Sequence, residues 1–169
     1  MVIARSKLMV QDDLQRPRPA FRITYTGPEP SRLYKEVPGL LAAAFRVHTG
    51  QVQEKKVSWT KGETEKFSAL WEVDKDLDGR SYYFIELEIS GSESKGYGTA
   101  TLMLKDGVLR TEYPQDTMWE RSLLYEMLRM VWHNLFYERK REQWIREGRH
   151  MLATFVDGVK RLTHEWKEE

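Results

Sequence analysis

The heaviest constraint on this fold lies in residues 117–166, where every segment reads as helix. "TMWE" has the form of a capping box, with Thr117 as N-cap and Glu120 three residues later. On a helical wheel the residues that follow carry an apolar arc of roughly 240 degrees. The arc contains Trp119, Leu123, Leu124, Met127, Leu128, Met130, Val131, Trp132, Leu135 and Phe136. A helix so apolar is expected to be covered on most sides. "ERKREQ", residues 138–143, has no apolar residue and reads as a solvated belt. Beyond it Trp144, Gly148, Leu152, Phe155, Val159, Leu162 and Trp166 form an ordinary one-face stripe. A straight helix over 118–166 would be about 73 Å long. A compact chain of this length is roughly 40 Å across. The segment therefore bends, breaks or projects toward a partner, with Gly148 and the polar belt as the expected break points.

The preceding residues alternate as strands do. In "AFRITYT", Phe21, Ile23 and Tyr25 share one side. "SRLYKEV" and "PGLLAAAFRV" read as two short helices, because Pro38 disfavours helix at Val37 and suits the first turn of a new one. Strand patterns follow in "KKVSWTK", "KFSALWEVD", "SYYFIELEIS" and "GYGTATLML". "GVLRTEY" comes after the turn signal "KDG", so Asp106-Gly107 is expected to be a hairpin turn. Short connections favour an antiparallel meander over parallel units. The fold class expected is α+β: a curved antiparallel sheet of about six strands, two short helices after the first, and a long C-terminal helical segment. Residues 1–19, ending in "QRPRP", read as a flexible arm, and residues 20–169 as a single domain with its helical region at 117–166.

Composition narrows the chemistry. The 169 residues contain no cysteine, which removes disulfides, thiolate metal sites and thiol nucleophiles. A formal net charge of +1 gives no long-range field for nucleic acid. With no signal-like start and no spanning apolar run, the expected location is cytoplasmic.

"DKDLDG", residues 74–79, opens like a calcium-binding loop. The bidentate acid needed at position twelve is Ile85, however, and both flanks read as strands. A hairpin turn explains it better. Glu147 and His150 have Glu-x-x-His spacing, but no second copy accompanies them. "GYG", residues 96–98, does not lead into a helix, so its glycines favour close strand packing over phosphate binding. "ERKREQWIREGRH" is basic, yet its glutamates fall at ion-pairing distances along a helix. No metal, cofactor or catalytic group is expected from these motifs.

Two patterns suggest binding. Tyr25, Trp59, Trp71 and Tyr83, joined by Tyr97 and Tyr113 if their registers agree, lie where strand side chains point inward. That suits either a packed aromatic core with satisfied polar tips or a partly hydrated, amphiphilic cavity. Ser122, Glu126, Arg129 and His133 form one narrow polar stripe on the apolar helix. The stripe either faces water or lines a pocket, where Arg129 or His133 would fix a ligand's polar head.

The order of elements, with "TYTGPEPSRLYKEVPGLLAAAF" between the first two strands, resembles the helix-grip fold of the START-like, or Bet v 1-like, superfamily. It is also similar to small archaeal proteins, which implies no function. The superfamily resemblance implies a cavity between sheet and C-terminal helix that holds a lipid or another hydrophobic molecule. The leading expectation is non-catalytic binding of such a molecule, with Trp59, Trp71, Tyr83 and Tyr97 as walls and Arg129 or His133 at its head. A second expectation is an interaction module, in which helix 118–137 is covered by another subunit, a protein partner or a membrane surface. A third is an enzyme on the same scaffold.

Overall fold

The computed structural model describes residues 7–15, 21–114, 117, 119–120, 122–132, 135 and 137–168. It is an α+β fold built on one open antiparallel sheet. The elements run β1 (Lys7–Asp13), β2 (Arg22–Pro28), α1 (Arg32–Phe45), a single 3-10 turn (Thr49–Gln51), β3 (Val52–Thr60), β4 (Glu65–Asp76), β5 (Ser81–Ser94), β6 (Tyr97–Pro114), α2 (Leu123–Trp132) and α3 (Glu138–Glu168). β3, β4, β5 and β6 pair in sequence order. β6 is long enough to carry two strands on its far edge. β2 pairs with its first half, from Tyr97 to Met103, and β1 with its second, from Val108 to Pro114.

Alternation along the central strands is strict. Phe67, Ala69, Trp71 and Val73 of β4 and Tyr83, Ile85, Leu87 and Ile89 of β5 are all buried. They make one face of the core, and α1 and α3 supply the other through Leu33, Val37, Leu41, Phe45, Met151, Phe155 and Val159. α3 runs from Trp144, against Tyr83, to Trp166, against Tyr25. Its Phe155 meets Phe21 on the way. β3 is the opposite edge strand, and Glu54, Lys55 and Lys56 keep that edge charged.

Several expectations need correction. Lys7–Asp13 is not part of a flexible arm but strand β1. Its partner lies about a hundred residues away, beyond the reach of local pattern. Asp106-Gly107 is not a turn: β6 passes straight through, and Lys105 is the extra residue of a bulge opposite Glu86 and Leu87. The two short helices are one helix, α1, with Pro38 inside it. Buried Val37 and Leu41 on either side of Pro38 hold the helix to the core despite the missing donor. The long C-terminal segment breaks neither at Gly148 nor in the belt. Between α2 and α3 the described residues Leu135 and Tyr137 have the wider π-helical winding. "DKDLDG" does form the β4–β5 turn, with Asp78 Oδ1 accepting from the backbone N–H groups of Arg80 and Ser81 at 2.9 and 2.7 Å.

Candidate functional site

The segment leading to α2 is closed by its own side chains. Thr117 and Glu120 make the expected reciprocal bonds: Thr117 N–H to Glu120 Oε2 at 2.9 Å and Glu120 N–H to Thr117 Oγ1 at 3.2 Å. That box closes a turn, not the helix itself. Ser122 is the cap of α2, its Oγ accepting from the Tyr125 N–H at 3.2 Å.

α2 is mounted inside out. Ser122, Tyr125, Glu126 and Arg129 are half-buried against the body of the protein. Leu123 is 74% exposed and Met130 59%, while Leu124, Met127, Leu128, Val131 and Trp132 are each more than half exposed. Trp119 before the helix and Leu135 after it extend the same surface. Ser122, Glu126 and Arg129 of the polar stripe are thus less exposed than the apolar arc, Arg129 reaches the sheet at Tyr113, and no residue of α2 is fully buried. An ordinary surface helix does the reverse.

The stripe rests on the end of β6. The Arg129 guanidinium lies 5.4 Å from the ring centre of buried Tyr113, and Arg80, from the β4–β5 turn, lies 5.9 Å from the same ring. Neither arginine has an ion-pair partner among the described residues, and Arg129 Nη1 is buried without a hydrogen-bond acceptor. Burial pushes the Tyr113 phenol above its usual pKa, and Arg141, Arg80 and Arg129 pull against that shift.

Beneath this contact runs a chain of polar groups that ties the start of α3 to the sheet. Buried Arg141 donates to Asp12 and to Thr111 Oγ1. The Thr111 and Ser81 hydroxyls are 2.8 Å apart, Ser81 and Tyr137 2.6 Å, and Tyr137 donates to Asp78 Oδ2 at 3.0 Å. The Tyr137 phenol is pushed up to about 12, first by burial, with its bond to Ser81 opposing and Asp78 adding to the rise. Burial alone would raise the Asp78 carboxyl, but the Arg80 and Ser81 amides, Tyr137 and Lys140 outweigh it and leave it lowered. Arg141 is thus no member of a solvated belt. Between this network and α2 is a hollow of about 410 Å³ bounded by Asp78, Gly79, Arg80, Trp132, Tyr137 and Lys140.

The residues singled out for ligand binding do not converge. Trp71 and Tyr83 are in the buried core, Trp71 5.6 Å from the Tyr34 ring and Tyr83 donating its hydroxyl to the Trp144 carbonyl at 2.6 Å. Trp59 is 37% exposed on edge strand β3, between Phe67 and Tyr34. Tyr97 is exposed at the start of β6. Arg129 is on α2, and His133 lies outside the described residues. Arg80 and Tyr137, which help frame the hollow, lie in no marked stretch; Asp78 and Gly79 end "DKDLDG" and Lys140 lies in "ERKREQ", neither of which pointed to a site. Among the described residues no carboxylate or histidine cluster suited to a metal ion occurs. No described helix is long and apolar enough to cross a membrane.

Comparison of the chain with protein-family models, curated proteins and solved structures finds no match.

Proposed function

We propose that this chain is a docking module, in which a rigid sheet-and-helix body presents α2 as an apolar contact surface. The inverted mounting of α2 carries this reading. Fully burying a side chain such as Leu128 is worth about 1.5–3 kcal/mol. A surface of nine such residues, each more than half exposed, is costly to leave in water. The polar stripe fixes the helix to its own protein, so the apolar arc faces a second body. The START-like order of elements fits this role as a scaffold.

An amphiphilic ligand held between sheet and α3 has weaker support. The tips that would receive it are already engaged: Tyr83 donates to the Trp144 carbonyl and Tyr25 to the Pro28 carbonyl. The test compares wild type with a Leu128→Glu/Val131→Glu double variant by sizing and by hydrophobic-dye binding. Wild type should self-associate or bind dye, and the variant should do neither while melting at the same temperature. A wild-type monomer that binds no dye would defeat the docking reading.

A further inference from the structure

Resting on that docking reading, we infer that the surface α2 meets is an anionic phospholipid bilayer, with a net-anionic lipid headgroup seated at the hollow beside Trp132. The charges in the hollow point to an anion. Its one carboxylate is already engaged, because Asp78 Oδ1 accepts from two backbone amides and Oδ2 accepts from Tyr137 with Lys140 Nζ at 3.7 Å. Arg80 has no ion pair among the described residues. Arg129, which meets the same Tyr113 ring as Arg80 but does not line the hollow, keeps a buried guanidinium nitrogen without an acceptor. A guanidinium fork beside an ammonium suits the oxygens of a phosphate.

The setting points to lipid. Trp132 is both a wall of the hollow and the last residue of α2, so the cationic site opens directly onto the apolar arc. Trp119 and Trp132 bracket that arc, and both are exposed. Tryptophan settles at headgroup depth, with apolar neighbours below it and cations above. α2 is about 15 Å long, too short to span a bilayer but long enough to lie in its interface. An apolar helix and a cationic site together supply the two signals that stable membrane attachment needs.

Flotation of the full chain with vesicles tests this. Wild type should float with vesicles containing phosphatidylglycerol and much less with pure phosphatidylcholine, and high salt should release it. Arg80→Ala/Lys140→Ala should weaken partition into the anionic vesicles by about twenty-fivefold, at roughly fivefold per cation, and leave partition into neutral vesicles unchanged. Leu128→Glu/Val131→Glu should abolish both. Equal flotation with the two vesicle types, or an alanine pair that binds anionic vesicles as wild type does, would overturn the anionic-headgroup site and leave the docking reading standing. Absence of flotation in a chain that self-associates through α2 would overturn the lipid and make a second copy the occupant. Absence of flotation, association and dye binding together would overturn both.

Discussion

Asp12 and Arg141 are 129 residues apart in sequence, yet the Arg141 Nε donates to Asp12 Oδ2 at 3.0 Å, joining the first described strand to the start of the last helix. Arg141 is buried, while the Asp12 side chain is 40% exposed. Asp12→Ala leaves the guanidinium with Thr111 as its remaining described partner. The expected loss is about 2 kcal/mol, below the full cost of an orphaned buried charge because water reaches the Asp12 position. Urea unfolding measures it. Glu142→Ala, exposed on the same helix, should stay within about 0.5 kcal/mol of wild type. Equal midpoints for the two variants would show that the pair does not anchor α3.

The two glycines of α3 should answer one substitution with opposite signs. A methyl on Gly148 would lie 2.9 Å from Tyr83 Cε1 and 3.0 Å from both Leu14 methyls. Tyr83 cannot slide away easily, because its hydroxyl is tied to Trp144. Overpacking costs about 1–3 kcal/mol, against which alanine regains about 1 kcal/mol of helix propensity. Gly148→Ala should therefore destabilise by about 1 kcal/mol. On Gly158 the nearest atom is Leu40 Cδ2 at 3.7 Å, an ordinary contact. Gly158→Ala should stabilise by about 0.5–1 kcal/mol. Paired thermal melts decide, and melting shifts of the same sign would contradict the packing described for Gly148.

What was legible in the sequence was local. The alternation of Phe67 to Val73 and of Tyr83 to Ile89 predicts β4 and β5 with the correct inward faces, and the stripe from Trp144 to Trp166 predicts the buried side of α3. Periodicity does not say which body a helix faces. The stripe of Ser122, Glu126 and Arg129 was visible, but its contact is Tyr113, reached only after α2 folds over the end of β6. Asp106-Gly107 misled because Asp-Gly is a local turn signal, whereas the long pairing of β5 with β6 keeps the chain extended there, with Gly107 opposite Ile85. The hollow was invisible, since Arg80, Trp132 and Lys140 come from three separate segments.

Tyr137 should shape the alkaline limit of stability. Its phenol is pushed up to about 12 from an ordinary 10, so folding favours the neutral form. That contribution is complete below pH 10 and is lost as pH rises from 10 toward 12. Tyr82, Tyr83 and Tyr113 are raised too and act in the same direction. Asp78 acts at the other end: its lowered carboxyl contributes above pH 3.8 and ceases to as acid protonates it. Denaturation across pH should show stability falling above pH 10, and Tyr137→Phe should shallow that slope. Its cost at pH 7 should be about 1 kcal/mol for the lost hydroxyl bonds. An unchanged alkaline slope would remove Tyr137 from this role.

α2 should be the first part of the molecule to open. It has ten residues, none fully buried, whereas α3 has thirty-one residues and nine buried positions. A helix this short is marginal without packing. The Ser122 cap and the contact of Arg129 with Tyr113 help to hold it. Amide hydrogen exchange over residues 122–132 should therefore be much faster than over residues 144–166, without any change in global stability. Ser122→Ala should speed exchange in α2 roughly fivefold, for a lost cap worth about 1 kcal/mol, and leave α3 untouched. Covering the apolar arc should slow the same amides, because an occupant that binds the formed helix draws the equilibrium away from the open state. Exchange in α2 as slow as in α3 would mean that the helix is held by its own chain and is not waiting for a second surface.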